Sequence, residues 1–319
     1  MTLDAETRRF LDAVESGGPP IHHGSVTQAR SAAASITHFH GKGPALKESV
    51  DRVVVRDNGQ LELRVLTPQD TPRAIVVYYH GGGWVHGSPA EYDHLARRLA
   101  AEVKAVVVLA RYRLAPEHLF PAAVDDATEA ARWVCESRHE LTGAPVPIVV
   151  AGDSAGGNLA AVVARRARDL GLPVDLQVLV YPVTDADTDR PSYLAAENQL
   201  MVSRDTMNWY WDHYVPDLAD RLHPDASPLR AEDLRGLAPA IVLLAEHDVL
   251  RDEGQAYATA LAEAGVPTRV HQMPGQMHGF LNLVNVLPGS AAGIEHLTTE
   301  INAWLDQAQP RSDNDDQRA

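Results

Sequence analysis

Gly152-Asp153-Ser154-Ala155-Gly156 is the stretch that decides the fold. Before it runs Val146-Pro147-Ile148-Val149-Val150-Ala151, apolar and β-branched, as a buried strand is. After it runs Gly157-Asn158-Leu159-Ala160-Ala161-Val162-Val163-Ala164-Arg165-Arg166, rich in alanine and ending in arginine, as a helix is. Strand, G-x-S-x-G and helix in that order make a nucleophile elbow. The turn is too tight for side chains on either side of the serine, so glycines stand there. The serine itself is held in strained backbone with its hydroxyl exposed at the sheet edge.

A second motif supplies what the first lacks. His80-Gly81-Gly82-Gly83-Trp84 directly follows the apolar run Ala74-Ile75-Val76-Val77-Tyr78-Tyr79. Attack of a serine on an ester carbonyl puts negative charge on the carbonyl oxygen. Preorganised backbone N–H groups, free of side chains, can approach that charge closely. A glycine run past a strand offers them, with the N–H after the nucleophile, that of Ala155, as the other donor. One such donor is worth about 3 kcal/mol in the transition state.

The chain has 319 residues, enough for one large α/β domain or two small ones. It is 45% hydrophobic and 22% charged, the balance of a globular protein with a sizeable core. A net charge of -15 argues against nucleic acid and anionic membrane surfaces, which attract basic patches. Cys135 is the only cysteine, so no intramolecular disulfide forms; it is expected on a packed helix face. The first ten residues are charged and lack the apolar core of a signal peptide. No stretch approaches the ~20 apolar residues of a membrane span. These features predict a cytoplasmic protein with no membrane span. The polar tail 309–319 is expected to be disordered.

Residues 1–45 read as helical pieces broken by Gly17-Gly18-Pro19-Pro20 and Gly41-Lys42-Gly43-Pro44. Strands are expected at 48–56, 61–66 and 74–79, with Asp57-Asn58-Gly59 as a hairpin turn between the first two. Strands and helices then alternate: helix 92–102, strand 105–110, helix 122–138, the elbow, strand 176–181, strand 240–246, helix 253–265, strand 268–273 and helix 292–307. This alternation builds a mostly parallel sheet with helices on both faces, and the early hairpin gives an antiparallel edge. Residues 184–237 break the rhythm, with no strand-like run and the aromatic cluster Trp209-Tyr210-Trp211 with Tyr214. Such an excursion reads as a helical cap insert that, with the N-terminal helices, covers the serine. The expected organisation is an N-terminal cap part (1–45), a catalytic α/β core (46–183 and 238–308) interrupted by the insert (184–237), and the tail. Trp84 and Trp209 suggest a bulky apolar pocket lining but suit a core equally; Asp153 could touch the site or make structural hydrogen bonds.

A serine needs a histidine to take its proton and a carboxylate to fix that histidine's tautomer. In this class the chain order is serine, acid, histidine. Of His213, His223, His247, His271 and His278, only His278 lies in a short loop after the last strand, where parallel-sheet sites gather. Asp248 follows the apolar run Ala240-Ile241-Val242-Leu243-Leu244-Ala245 and is expected at the carboxyl edge of the sheet. Glu246, Asp252 and Glu253 compete with it. Asp252 more naturally caps the helix that starts there, and Glu246 suits the strand.

With these residues in hand, the chain resembles the hormone-sensitive lipase-like branch of α/β-hydrolase esterases, the bacterial family IV. The matching blocks are His80–Trp84, Tyr112-Arg113-Leu114-Ala115-Pro116-Glu117-His118, Phe120-Pro121-Ala122-Ala123-Val124-Asp125-Asp126, Gly152–Asn158, Leu250-Arg251-Asp252-Glu253-Gly254 and His278-Gly279-Phe280. The resemblance implies an eight-stranded sheet, a helical cap, and hydrolysis of short- to medium-chain carboxylic esters without metal or cofactor. It places Ser154, Asp248 and His278 on the family's triad, and Gly82, Gly83 and Ala155 on its oxyanion donors. The 112–118 block is expected to brace the oxyanion loop or the site floor. Arg111 stands where the family often has an acid or amide, and Val249 where it usually has proline. Other acyl chemistry on the same triad (amide deacetylation, acyl transfer), a lyase or cyclase, and a small-molecule receptor are the rival functions. A small-molecule ester is the expected partner, with the chain acting as monomer or homodimer.

Overall fold

The computed structural model describes residues 3–15, 20–37, 40–56 and 59–308. The expected breaker at Gly17-Gly18-Pro19, most of the hairpin turn (Asp57-Asn58) and the tail 309–319 lie outside those residues.

Eight strands form one sheet: β1 (Glu48–Arg56), β2 (Gly59–Thr67), β3 (Ala74–Tyr79), β4 (Ala105–Arg111), β5 (Ile148–Asp153), β6 (Leu176–Val180), β7 (Ala240–His247) and β8 (Thr268–Met277). Their order is β1-β2-β4-β3-β5-β6-β7-β8. β2 runs antiparallel to both β1 and β4, and every other pair is parallel. The expected antiparallel edge is therefore present.

The period-two alternation of each strand divides the core in two. Ile75, Val77 and Tyr79 of β3 pack on one face, with Val124 and Ala127 of α4 (Ala122–Thr142), Leu159 and Val163 of α5 (Ala155–Leu170), and Tyr257 and Leu261 of α8 (Arg251–Glu263). Val76 and Tyr78 pack on the other, with Leu95 and Leu99 of α3 (Asp93–Val103) and Ile294, Leu297 and Ile301 of α9 (Pro288–Ala308). The inner strands are buried on both faces and so read as near-continuous apolar runs.

The N-terminal part carries α1 (Ala5–Glu15) and α2 (Val26–Ser35). Residues 184–237 hold short α6 (Pro191–Leu194), α7 (Arg204–Tyr214) and three 3-10 turns, with no strand among the described residues. Some boundaries differ from expectation. β5 runs on to Asp153, so the strand ends directly against the serine. β8 extends to Met277 because His247 pairs with Met277 beyond an irregularity at Ala245/His247. α8 starts at Arg251 with Leu250 as its N-cap and no side-chain cap, so Asp252 is not a capping residue. Its carboxylate instead accepts the Ser192 N–H at 2.8 Å.

Candidate active site

Ser154 occupies the turn between β5 and α5 with φ 55° and ψ -120°. A non-glycine residue there carries strain of order 1–3 kcal/mol, held by its surroundings. The Ser154 N–H donates to Val180 at 2.9 Å, and its carbonyl accepts the Asn158 N–H at 3.0 Å. The flanking glycines are there for space. A Cβ on Gly152 would fall on the Gly156 backbone, and one on Gly156 on the Tyr79 carbonyl oxygen.

The ends of three parallel strands bring the expected residues together. His278, one residue past β8, accepts the Ser154 hydroxyl at Nε2 over 2.9 Å. Its Nδ1 donates to Asp248 Oδ2 at 2.8 Å. Asp248, one residue past β7, is fully buried, and its Oδ1 accepts the Leu250 N–H at 2.9 Å. The competing acids are engaged elsewhere. Glu246 lies in β7 and accepts the Gly275 N–H at 2.7 Å. Glu253 accepts the Thr184 N–H at 2.7 Å and the Tyr193 hydroxyl at 3.1 Å, and burial pushes its carboxyl well above the usual range. His296 also follows Ser154 in the chain; it lies on α9, stacked on His271 at 3.9 Å.

The N–H groups of the glycine loop fall into two sets, those with an acceptor in the fold and those without one among the described residues. That of Gly81 is used, donating to Asp153 Oδ1 at 3.0 Å and to the Tyr92 hydroxyl oxygen at 3.1 Å. Those of Gly82, Gly83 and Ala155 meet no acceptor among the described residues. Peptide geometry sets their direction, because C=O and N–H of a trans peptide point opposite ways. The Gly81 carbonyl accepts His80 Nδ1–H at 2.8 Å, which turns the Gly82 N–H away from the imidazole. The Gly82 carbonyl accepts the N–H groups of Val85 and His86, both at 3.0 Å, which turns the Gly83 N–H out of the turn. Gly82 and Gly83 have φ 111° and 57°, values that favour glycine.

His80 and Tyr112 form the floor beneath this loop. Their rings stack at 4.3 Å, and the Tyr112 hydroxyl donates to the His80 carbonyl at 2.7 Å. Burial lowers the His80 pKa to about 4, so the ring is neutral at neutral pH. The 112–118 block thus braces the loop as expected, with the Ala115 N–H donating to the Trp84 carbonyl at 2.9 Å. The Arg111 departure is a surface ion pair, 2.8 Å from Glu62 on the adjoining strand. Sequence reasoning gave the bracing role to the block that Tyr112 opens but none to Tyr92 or to the His80 ring; His80 lies inside a quoted motif, which is the signal that points to it.

Two of the three expected substrate contacts are placed elsewhere. Trp84 is fully buried, stacked on Tyr214 at 4.3 Å and 4.9 Å from Trp211, so it ties the loop to α7 rather than lining a pocket. The buried Asp153 carboxylate accepts the Tyr78 and Tyr92 hydroxyls at 3.0 Å each, besides Gly81, which commits it to structure. Burial raises its pKa to about 6. Trp209 is half-buried, edge-on to Tyr210 at 5.4 Å. Cys135 is half-buried on α4, where burial pushes its thiol up to about 11 and keeps it protonated.

A family model described as the alpha/beta hydrolase fold matches residues 76–282. The chain belongs to the α/β-hydrolase family, in its hormone-sensitive lipase-like branch. It is 46% identical over 222 residues to carboxylesterase NlhH of Mycobacterium tuberculosis, covering 68% of this chain and 69% of that one. It is 34% identical over 310 residues to ethyl acetate hydrolase of Pseudomonas putida, covering 92% and 96%. Among solved structures, a hyperthermophilic esterase from the archaeon Pyrobaculum calidifontis superposes with a TM-score of 0.87 at 37% identity, over 95% of this chain and 99% of that one. Among the described residues, no helix is long and apolar enough to cross a membrane.

Proposed function

We propose that this carboxylic ester hydrolase works through Ser154, His278 and Asp248, with an acyl-enzyme intermediate. The observation that carries the reading is the imidazole of His278, hydrogen-bonded to Ser154 Oγ at 2.9 Å on one side and to Asp248 at 2.8 Å on the other. Ser154 Oγ attacks the ester carbonyl carbon as its proton passes to Nε2. The oxygen that becomes negative is held by the N–H groups of Gly82, Gly83 and Ala155. His278 then protonates the departing alcohol. Water enters, gives its proton to the same nitrogen, and releases the acid and free serine. Asp248 fixes the tautomer and stabilises the imidazolium.

We assign 184–237 and the N-terminal helices to a cap over this site. The near-complete burial of Ser154 (7% exposed) and His278 (6%) favours esters with short to medium acyl chains. Trp209, half-buried on the insert, is the aromatic we place at the pocket. The single cysteine suits a cytoplasmic location. The test is hydrolysis of p-nitrophenyl esters from acetate to dodecanoate, wild type beside Ser154→Ala. A maximum at short chains that vanishes in the variant is expected. Turnover by Ser154→Ala near the wild-type rate overturns the assignment, and faster cleavage of a matched anilide than of the ester overturns the ester preference.

A further inference from the structure

We infer that Arg30 is a positioning residue for the oxyanion donor Gly83, acting from the N-terminal helix through two hydrogen-bonded peptide groups. The inference rests on the reading of Gly83 given above. Arg30 lies in the middle of α2, whose start is fixed by a capping box between Ser25 and Gln28. Its Nε donates to the Val85 carbonyl at 2.9 Å. One Nη donates to the Ala115 carbonyl at 3.0 Å, and both reach the Glu117 carboxylate, at 2.6 and 2.7 Å.

The Val85 carbonyl is one half of a peptide whose other half is the His86 N–H. That N–H donates to the Gly82 carbonyl at 3.0 Å. The Gly82 carbonyl in turn shares its peptide with the Gly83 N–H, which points the opposite way. The chain therefore runs from guanidinium, to the Val85–His86 peptide, to the Gly82–Gly83 peptide, to the oxyanion. A cation stands at one end and the developing anion at the other. Each hydrogen bond in such a chain polarises the next, and a charged donor at its head is stronger than a neutral one. Glu117 takes the outer edge of Arg30 and is more than half exposed, so water screens its charge, while Nε faces the loop. Within the loop, positive φ at Gly82, Gly83 and Trp84 leaves a backbone that few residues adopt unaided. An external clamp on its far end is what such a segment requires.

The test compares the full chain with Arg30→Met, Arg30→Lys and Glu117→Gln on a short p-nitrophenyl ester, recording kcat, KM and melting temperature. Affinity for an aliphatic trifluoromethyl ketone, which adds to the serine and places an alkoxide in the hole, is measured alongside. Arg30→Met is expected to lower kcat and ketone affinity together by roughly tenfold, with KM within twofold. Arg30→Lys should recover most of the loss, because an ammonium can still reach the Val85 carbonyl. Glu117→Gln, which breaks the ion pair but leaves the Nε bond, should keep kcat within twofold. A Glu117→Gln loss equal to that of Arg30→Met shows plain fastening of α2 and overturns the inference. Unchanged kcat and ketone affinity in Arg30→Met also overturn it. If Ser154→Ala still turns over, the site reading fails and takes this inference with it; if that variant is dead while Arg30→Met is normal, this inference alone fails.

Discussion

The imidazole of His80 hydrogen-bonds the carbonyl of the residue that follows it, Gly81, at 2.8 Å. This contact explains why a glycine loop begins with a histidine. A neutral ring held under the loop, itself stacked on Tyr112, turns the Gly82 N–H away from the imidazole, the direction that the proposed oxyanion role needs. Replacing His80 by phenylalanine keeps the stacking but removes the donor. kcat for a short ester should fall by about ten- to a hundredfold with KM changed little, the pattern of an interaction made in the transition state. Steady-state kinetics check this, and a loss confined to KM would contradict it.

Asp248→Asn keeps size and burial and removes the negative charge beside His278. The expected result is a folded protein, by circular dichroism and melting temperature, with kcat lowered by roughly 10⁴-fold, as in the serine-protease precedent. The same substitution at Asp252, which bonds Ser192 rather than His278, should leave kcat within a few-fold. Equal losses at both positions would remove Asp248 from the role given to it.

Gly83→Ala is predicted to fail for two separable reasons. Its φ of 57° disfavours a Cβ by about 1 kcal/mol. That Cβ would also fall on the ring of Tyr210, which rests against the glycine from α7. Adding Tyr210→Ala removes the clash but not the backbone penalty. The double variant should melt higher than the sum of the two single effects predicts, while activity stays low. Strict additivity would show that the ring does not press on the loop.

His86 gives the pH prediction. Burial, helped by nearby Arg30, lowers its pKa to about 4, against about 6.5 in the unfolded chain. Between those values the unfolded state binds the extra proton, so stability rises with pH and is lost as pH falls from 6.5 toward 4. Burial makes His80 act in the same direction, with a pKa also near 4. Asp153 acts oppositely. Its pKa is raised to about 6, so the native state binds the extra proton and this contribution falls as pH rises from about 4 to 6. His86→Gln should therefore shrink the difference in unfolding free energy between pH 7 and 4.5 by about 2 kcal/mol. Urea unfolding at both pH values measures it, and an unchanged difference would mean that His86 is not held neutral.

What was legible in the sequence was local. The elbow declared itself because Gly152 and Gly156 flank a serine between a β-branched run and an alanine-rich one. β3 and β5 stood out because strands buried on both faces are continuously apolar. Chain order and the position of a loop after a strand were enough to single out Asp248 and His278. The rest depends on contacts that join distant parts of the chain. Trp84 suited pocket lining and core equally, because its burial is set by Trp211 and Tyr214, 127 and 130 residues away. Asp153 is committed by Tyr78 and Tyr92. β8 runs past its apolar pattern because His247 pairs with Met277 beyond an irregular register, and edge pairing leaves no periodic trace. Arg30 sits on an N-terminal helix with nothing in its own neighbourhood to mark a partner at Val85.

The central claim is that one serine, Ser154, becomes covalently acylated. Intact-mass and peptide mass spectrometry after reaction with a fluorophosphonate test it most directly. One adduct per chain is expected, on the peptide holding Ser154, absent in Ser154→Ala and formed far more slowly in His278→Ala. An adduct on another residue, or equal labelling of Ser154→Ala, would contradict the account.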